Sequence, residues 1–351
     1  MIRENIQSLV DGASLSLKQS RQTMQEIMTG QATNSQIAAF LTALRMKGET
    51  VEELVSFAQV MRENCLQIHP KVAGRLVDTC GTGGDKIKTF NISTASAFVV
   101  AGAGVAIAKH GNRSVTSKSG SADVLECLGL NLKMTHEKVK ECIEQVGIGF
   151  MFAPAFHPAM KYAVAPRKEM GIRTVFNLLG PLTNPACANA QLLGAFDAKL
   201  VVPLSNALGH LGCEEAMVVH GLNGLDEVST LGKTVVSHLK NAEVKTFQIA
   251  PRDLGLRQAQ PEDLLGGTPE ENAQTLVKIL RENCSKPGPK TEIVLANSAA
   301  AILVGGKAET LKEGVQIARE SIRSGAALSK LISLVKFSGG DQSKLEELQR
   351  Q

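Results

Sequence analysis

Residues 78–126 of the chain read DTCGTGGDKIKTFNISTASAFVVAGAGVAIAKHGNRSVTSKSGSADVLE. Two loops rich in glycine and hydroxyl residues flank one short apolar strand, and each loop leads into a predicted helix. Backbone N–H groups at a helix start, glycines that permit close approach and a Lys–His–Arg cluster together form an anion site. The density of these groups indicates an anion that carries more than one phosphate.

The pattern on either side of this stretch predicts the fold. Residues 1–66 show helical spacing of apolar positions, with Thr33, Asn34 and Gln36 forming a plausible helix cap. Beyond Gly74, short β-rich runs alternate with helical runs, which is typical of a mostly parallel sheet covered on both faces. The predicted strands are Arg75–Thr79, Val105–Lys109, Glu215–His220 and Glu292–Leu295, with a hairpin at 235–249. The predicted helices are Thr94–Ala103, Ala122–Cys127, Glu137–Val146, Val201–Leu211, Pro269–Glu282 and Leu311–Ser324.

Composition argues against two classes of partner. A net charge of +4 over 351 residues is modest, and aromatic residues make up only 3% of the chain. We therefore expect no nucleic-acid partner, because such proteins use basic faces and aromatic stacking platforms. No apolar run approaches the roughly 20 residues of a membrane span, so we expect no membrane partner.

The seven cysteines and the amino terminus predict a location. The cysteines show no CxxC or similar metal-ligand spacing, and most lie in apolar or Ala/Gly-rich surroundings, which is typical of free thiols in a reducing compartment. Cys80, beside the first glycine loop, is either a reactive thiol or, as we favour, a small packing residue. The first residues, MIRENIQSLVDG, lack the apolar core of a signal peptide. We expect a cytoplasmic protein.

Three loops carry the predicted chemistry. In the first, at 81–85, glycines allow positive φ and close approach of a pyrophosphate, although taken alone this loop is better interpreted as a structural turn. The second, at 91–94, supplies Asn, Ser and Thr either as helix caps or as ligands at the helix start. The third, at 109–117, combines three basic residues with Asn, Ser and Thr donors, and its density favours a ligand site over a surface turn.

Two distant segments add candidate residues. Arg167 lies in Pro-, Gly- and Lys/Arg-rich sequence between 150 and 185 that interrupts the sheet pattern. It suits bidentate binding of a carboxylate, although an ordinary surface arginine is the default interpretation. His157 in the same segment favours a structural role. Asp226 and Glu227 follow the strand at 215–220, and in a turn both carboxylates can reach metal-bound water. A solvated acidic turn is an equal alternative for this pair.

Taken together, these segments resemble the anthranilate phosphoribosyltransferase family over nearly the whole chain. The motifs that carry the resemblance are QIAAFLTALRMKGET, GTGGD, FNIST, KHGNRSVTSKSGSADVLE, RTVFNLLGPLTNP and HGLNGLDE. The resemblance implies an α/β fold in which a small all-helical domain joins a larger domain with a mostly parallel central sheet flanked by helices. It implies domains at 1–70, joined by part of 150–185, and at 71–351, and usually a homodimer through the helical domains.

The resemblance also implies the site residues. Arg167 would orient anthranilate together with Gly81 and Asn112, and Lys109 would stabilise the pyrophosphate, with His110 a candidate proton acceptor. Mg²⁺ would be held at Ser93, Asp226 and Glu227. The residues implied for 5-phosphoribosyl 1-diphosphate (PRPP) are Gly81, Gly84, Asp85, Thr89, Asn91, Ile92, Ser93, Thr94, Lys109, His110, Gly111, Asn112, Arg113, Ser114, Val115, Thr116, Ser117 and Ser121.

The implied reaction is attack of the anthranilate amine on C1 of the ribose, with pyrophosphate leaving and the product N-(5-phosphoribosyl)anthranilate, a step of tryptophan biosynthesis. Two alternatives remain. One is a pyrimidine nucleoside phosphorylase of the same fold, and the other is a non-enzymatic member that binds nucleic acid. The RTVFNLLGPLTNP block and the GLDE motif argue against the phosphorylase. The non-enzymatic member predicts loss of the acidic pair and clustered basic helices, whereas Asp226 and Glu227 are present.

Overall fold

The chain begins with a group of four helices. The computed structural model describes residues 1–84, 87–114 and 118–350. The helices are α1 (Ile2–Val10), α2 (Leu17–Met28), α3 (Asn34–Lys47) and α4 (Val51–Glu63). Thr33 caps α3 as the sequence predicts, since its hydroxyl accepts from the Gln36 N–H while the Gln36 side chain accepts from the Thr33 N–H.

A seven-stranded sheet follows. Its strands are β1 (Leu76–Gly81), β2 (Ala106–Gly111), β3 (Ile148–Phe152), β4 (Ala190–Gly194), β5 (Glu215–Gly221), β6 (Thr234–Lys240) and β7 (Glu243–Ile249). The spatial order is β3-β2-β1-β4-β5-β6-β7. The first five strands in this order are parallel, and β6 and β7 form the predicted antiparallel hairpin.

Helices cover both faces of the sheet. In β5, Met217 and Val219 join one apolar cluster while Ala216 and Val218 join another, because successive side chains of a strand point to opposite faces. This arrangement confirms the predicted fold class. The flanking helices are α5 (Ile92–Gly102), α6 (Ser121–Cys127), α7 (His136–Glu141, extended by a π-helical turn at Cys142–Val146), α8 (Ala153–Phe156), α9 (Lys161–Met170), α10 (Phe176–Leu182), α11 (Val201–His210), α12 (Pro269–Leu280), α13 (Pro289–Val304), α14 (Leu311–Arg323), α15 (Ala326–Phe337) and α16 (Gln342–Arg350).

The segment between β3 and β4 returns to the first four helices. Helix α9 packs against α2 and α3, and α10 packs against α4. The apolar residues Phe176, Leu179 and Leu182 of α10 belong to the same buried cluster as Phe40 and Phe57 of the helical group. The amino-terminal helices are therefore joined to the sheet by a second piece of chain as well as by residues 64–75.

One predicted strand is wrong, and two strands were not predicted. Glu292–Leu295 lies inside α13, where every residue from Thr291 to Val304 is buried. A helix buried on all sides has no amphipathic period, so its short β-branched run resembles a strand. The sequence also gave no prediction for β3 and β4.

All seven cysteines are unpaired, and Cys80 has a packing role. Burial raises the pKa of the Cys80 thiol well above its ordinary value, and Gln191 Nε2 lies 3.0 Å from its sulfur. This environment disfavours the reactive thiolate. In the part of the chain that the structure describes, no helix is both long enough and apolar enough to cross a membrane.

Candidate functional site

The predicted site residues meet at the carboxyl edge of the parallel strands. Strands β1, β2, β4 and β5 all end on glycine, and Gly81 is paired directly with Gly194. Loops that follow the carboxyl ends of neighbouring parallel strands converge on one crevice, which is the usual ligand site of such sheets. The strand order, which the sequence did not provide, is what brings these loops to one edge.

Glycines bring the Asp226 loop against the first glycine loop. A Cβ atom at Gly81 would lie 2.6 Å from Asp226 Oδ2, and one at Gly194 would overlap the Asp226 carbonyl oxygen. The Gly83 N–H donates to Asp226 Oδ2 over 3.0 Å. Gly83 and Gly84 have φ of +72° and +88°, a region that favours glycine. The carboxylate predicted for metal binding therefore lies beside the loop predicted for phosphate.

Lys109 is a buried cation at the junction of β1, β2 and α5. Only 3% of Lys109 is exposed, and its Nζ donates to the Thr79 carbonyl over 2.6 Å and to Ser93 Oγ over 3.3 Å. Burial lowers the pKa of Lys109, while the charges of Asp78 and Glu227 raise it. Of the residues predicted to hold Mg²⁺, Ser93 is therefore in contact with Lys109, and Glu227 is close enough to act on its charge.

A buried amide supports this junction. Asn184 Nδ2 lies 2.8 Å from both Asp78 Oδ2 and the Ala108 carbonyl. Asp78 is completely buried, which raises the pKa of its carboxyl group, and the hydrogen bond from Asn184 opposes that rise. Neither Asn184 nor Asp78 was predicted from the sequence as a site residue, although Asn184 is the asparagine of the TNP sequence inside the block that carried the resemblance. Its partners lie 76 and 106 residues earlier in the chain.

A cavity of about 480 Å³ separates the helical group from the edge of the sheet. Gly81, Asn112 and Arg167, the three residues predicted to bind anthranilate, all line it. Its other walls are largely apolar and include Met61, Pro154, Pro158, Val164, Phe176 and Pro181. An apolar slot with a few polar groups is what a small aromatic ligand requires.

Arg167 brings an uncompensated positive charge to this cavity. The side chain is half-buried, its guanidinium stacks over Phe176 at 5.3 Å, and burial alone lowers its pKa. Among the described residues, no Asp or Glu forms an ion pair with Arg167. A desolvated guanidinium without a protein counter-ion is suited to bind the carboxylate of a ligand.

Two neutral histidines lie at the same cavity. The rings of His110 and His157 are 5.0 Å apart, and neither Nε2 has a hydrogen-bond partner among the described residues. Burial, and the neighbouring His157, lower the pKa of His110 to about 3, and burial lowers that of His157 to about 4. Both imidazoles are therefore uncharged near neutral pH and offer polar contacts without adding charge.

The start of α5 departs from the capping interpretation. Asn91 occupies the cap position, yet its side chain makes no capping hydrogen bond and instead contacts Ser119 and Asn272. Thr94 is buried, and its hydroxyl has no partner within the described ranges. The side chain of Ile92 belongs to the apolar core, so any contact of this residue with a ligand would involve its backbone, whose N–H donates to the Phe90 carbonyl over 2.7 Å.

The third loop is braced by its own ion pairs. The Arg113 guanidinium bonds to both oxygens of Glu126, at 2.8 and 3.1 Å, and to Asp123 at 2.9 Å, and these carboxylates raise its pKa. Asp123 also accepts from the N–H groups of Ser114 and Gly120. Arg113 is thus already occupied by protein carboxylates, which points to bracing of the loop.

Of the remaining predicted residues, some make contacts that the structure describes, and the others lie outside the described residues. Ser121 Oγ donates to the Asn112 carbonyl, a Cβ atom at Gly111 would overlap Ser121 Oγ, and Thr89 forms a β-bridge with Leu265. Predictions that lie outside the described residues are those for Asp85, Val115, Thr116 and Ser117.

Arg173 was missed. Its guanidinium donates to the Gly84 carbonyl over 2.9 Å and stacks over Phe196 at 4.4 Å. A Cβ atom at Gly84 would overlap this guanidinium. Arg173 thereby ties the first glycine loop to the segment between α9 and α10. It begins the RTVFNLLGPLTNP block, but nothing local in that block indicates a partner 89 residues away.

Comparisons with known proteins agree with this architecture. Residues 3–65 match the "Glycosyl transferase family, helical bundle domain", and residues 73–328 match the "Glycosyl transferase family, a/b domain". Anthranilate phosphoribosyltransferase of Acetivibrio thermocellus is 52% identical over 337 residues, which are 96% of this chain and 96% of the relative.

Solved structures give the same result. Anthranilate phosphoribosyltransferase of Thermus thermophilus superposes with a TM-score of 0.90 at 40% identity, over 95% of this chain and 99% of the other. The enzyme of Saccharomyces cerevisiae in complex with PRPP and Mg superposes with a TM-score of 0.89 at 30% identity, over 96% of this chain and 98% of the other. The chain therefore belongs to the anthranilate phosphoribosyltransferase family.

Proposed function

We propose that the protein transfers the 5-phosphoribosyl group of PRPP to the amine of anthranilate. One observation carries the proposal: the half-buried Arg167 has no acidic partner among the described residues and lines a largely apolar cavity that also reaches Gly81. Anthranilate is an aromatic ring with a carboxylate, so it fits both properties of the cavity. Gly81 belongs to the glycine loop, so an acceptor in the cavity would lie next to a phosphoribosyl donor on that loop.

PRPP would lie along the carboxyl edge of the sheet. Helix α5 begins at this edge, where Ser93 contacts Lys109, so the partial positive charge of its amino terminus faces the site, and the glycines at 81–84 allow close approach of a pyrophosphate. Lys109 supplies a positive charge from its buried position between β1, β2 and α5. The proposed PRPP ligands are the residues that the resemblance implies, with Ile92 acting through its backbone and Arg113 through the loop that it braces.

The acidic pair would hold Mg²⁺ together with Ser93. Mg²⁺ usually takes one or two carboxylates and completes its shell with water and substrate phosphates. Within the described ranges, no group of three or more His, Cys, Asp or Glu side chains is arranged to hold a metal. Asp226 and Glu227 with one hydroxyl therefore suit a cation that is delivered largely by the substrate. The structure of the yeast relative is a complex with PRPP and Mg.

The chemistry follows from these positions. The neutral anthranilate amine attacks C1 of the ribose, the C1–O bond to pyrophosphate breaks with inversion, and the amine then loses a proton. Lys109 and the amino terminus of α5 stabilise the negative charge that develops on the leaving pyrophosphate, and bound Mg²⁺ would add to that effect. Arg167 orients the acceptor. The depressed pKa of His110 makes it a weak base, so we assign no obligatory general base.

We also propose domains at 1–70, joined by part of 150–185, and at 71–351, with a homodimer through the helical domain. Large apolar side chains on that domain remain exposed: Val10 at 66%, Leu17 at 60% and Met46 at 83%. Exposed apolar side chains of this size are suited to an interface if the second chain covers them. Light scattering should give the mass of two chains, and Met46→Glu should shift it towards one. A monomeric wild type would contradict the proposal.

The protein is further proposed to be cytoplasmic, because its seven unpaired thiols suit a reducing compartment.

A direct assay tests the function. Purified protein mixed with PRPP, Mg²⁺ and anthranilate should reduce anthranilate fluorescence, and an Asp226→Asn, Glu227→Gln double variant should lose most of this activity. Folded wild-type protein without activity would refute the proposal. Phosphorolysis of a pyrimidine nucleoside, or steeply salt-dependent DNA binding without turnover, would then identify which alternative holds.

A further inference from the structure

A buried asparagine on α12 contacts the start of α5. Asn272 is 3% exposed, and its side chain uses both ends of its amide. Its Oδ1 accepts from the Gly267 N–H over 2.8 Å, and its Nδ2 donates to Asn91 Oδ1 over 3.1 Å. Neither the sequence motifs nor the proposed chemistry gives Asn272 a role.

The polarity of this contact follows from the backbone groups at its two ends. The Gly267 N–H can only donate, so the oxygen of the Asn272 amide must face it and the nitrogen must face Asn91. The Asn91 atom that receives this bond must then be its oxygen. At the far end, the Ser119 carbonyl can only accept, and Asn91 Nδ2 lies 3.3 Å from it. The two asparagines therefore form a chain with one allowed orientation.

This orientation decides what Asn91 can offer to a ligand. Its Oδ1 already accepts from Asn272 and, over 3.3 Å, from the Ser119 hydroxyl. Its Nδ2 carries two protons, of which one is directed to the Ser119 carbonyl. Within the described residues the Asn91 side chain makes no further hydrogen bond, so one N–H of its amide is the group that remains for a ligand. A donor suits a phosphate oxygen, whereas an exposed amide oxygen would repel it.

The backbone holds Asn272 at the required distance. The Gly266 N–H donates to the Lys88 carbonyl over 3.0 Å, and the Phe90 N–H donates to the Leu264 carbonyl over 3.3 Å. A Cβ atom at Gly266 would lie 2.6 Å from the Thr89 carbonyl oxygen. Segment 264–267 is therefore paired closely with 88–90, immediately before Asn91, so α12 is fixed relative to the start of α5.

We infer that Asn272 is a positioning residue for PRPP, which keeps the Asn91 amide turned so that its N–H, and not its oxygen, faces the anionic donor substrate. The inference rests on the proposed function, because it takes Asn91 as a PRPP ligand. It concerns the donor substrate alone. The anthranilate cavity is not lined by Asn272.

The test compares Asn272→Asp with Asn272→Ala. The aspartate variant keeps an acceptor for the Gly267 N–H but sets a carboxylate oxygen against Asn91 Oδ1, which turns the Asn91 amide round. The alanine variant loses these two bonds, and also the longer one from Asn272 Nδ2 to the Gly267 carbonyl at 3.4 Å, but leaves the Asn91 amide free to turn. We expect the PRPP KM to rise about tenfold or more in Asn272→Asp and less in Asn272→Ala, with anthranilate KM changed less than about twofold in both. A purely structural role predicts the reverse order, because only alanine leaves the Gly267 N–H unpaired.

A double-mutant cycle separates orientation from added charge. In an Asn91→Ala background, Asn272→Asp and Asn272→Ala should give equal PRPP affinity, because the group on which Asn272 acts is gone. A penalty for aspartate that persists there would assign the effect to charge and overturn the inference. Asn283→Asp, an exposed position just beyond α12, is the matched control and should bind PRPP as the wild type does.

Calorimetric titration of PRPP with Mg²⁺ into each variant keeps the two proposals distinguishable. Wild-type protein that binds PRPP without converting anthranilate would refute the proposed function and still allow the order of the variants to be measured. Equal PRPP affinity for the two Asn272 variants in the wild-type background would overturn the inference, whatever the activity.

Discussion

Replacing Arg167 with alanine is expected to raise the anthranilate KM about 10- to 150-fold. The range corresponds to the about 1.5–3 kcal/mol contributed by a hydrogen bond to a charged group, converted at about 1.4 kcal/mol per tenfold change. The PRPP KM should change little, because the glycine loop and Lys109 remain. Arg167→Lys should give an intermediate effect, since it keeps the charge but loses the planar fork that binds both oxygens of a carboxylate.

The structure also predicts the effect on stability. The Arg167 guanidinium is half-buried with no acidic partner within the described ranges, so the folded protein bears its desolvation without an ion pair in return. Its contact over Phe176 at 5.3 Å offsets part of that penalty. We therefore expect Arg167→Ala to leave Tm unchanged or slightly raised, the pattern of a residue kept for function.

Steady-state fluorescence measurements test this, with each substrate varied in turn while the other is saturating. Lys168→Ala is the matched control, because it removes an exposed cation from the next position of the same helix. It should leave both KM values unchanged. If Arg167→Ala raised both KM values by the same factor, or lowered Tm by several degrees, Arg167 would be a structural residue and the carboxylate argument would fail.

Two further predictions use the glycines and histidines of the site. Gly194→Ala should raise the Mg²⁺ concentration needed for half-maximal activity about tenfold or more, because its Cβ would overlap the Asp226 carbonyl oxygen and displace this metal residue. Gly288→Ala, with open space around its Cβ, should leave that concentration unchanged. Magnesium titrations of both variants check this. The pKa values of about 3 for His110 and about 4 for His157 lie below the ordinary value of about 6.5, so unfolded chain binds more protons and stability falls as pH drops from about 6.5 towards 3. His157→Gln should flatten the dependence of Tm on pH between 6.5 and 4, and an unchanged slope would contradict the assigned burial.

The fold was predictable where turn chemistry marked the ends of its elements. The predicted strands at 75–79, 105–109 and 215–220 overlap β1, β2 and β5, because glycine-rich loops mark where each strand ends. The prediction failed at Glu292–Leu295, where burial on every side removed the helical period. It missed β4, whose five residues are all buried and include Gln191, a polar residue satisfied by the Pro181 carbonyl.

Asn91 illustrates the limit for the site. Its sequence context, just before a helical run, predicts a helix cap, and in isolation that is the favoured use of asparagine. The structure uses the side chain otherwise, because partners 28 and 181 residues further along the chain bind it. Local sequence can state what an amide is able to do, but which of its ends is occupied depends on groups that only folding brings near.

The arginines near the site, Arg113, Arg167 and Arg173, show the same limit for charged residues. By residue type they are equivalent anion ligands, and two of them, Arg113 and Arg167, were predicted from the sequence while Arg173 was not. Arg113 is neutralised by Glu126 and Asp123, and Arg173 is engaged by the Gly84 carbonyl and Phe196. Arg167 alone among these three combines burial with the lack of a carbonyl or carboxylate partner in the described part of the chain. Binding energy for an anion is available only from a charge that the fold has not already compensated, so a carboxylate substrate should depend on Arg167 far more than on Arg113.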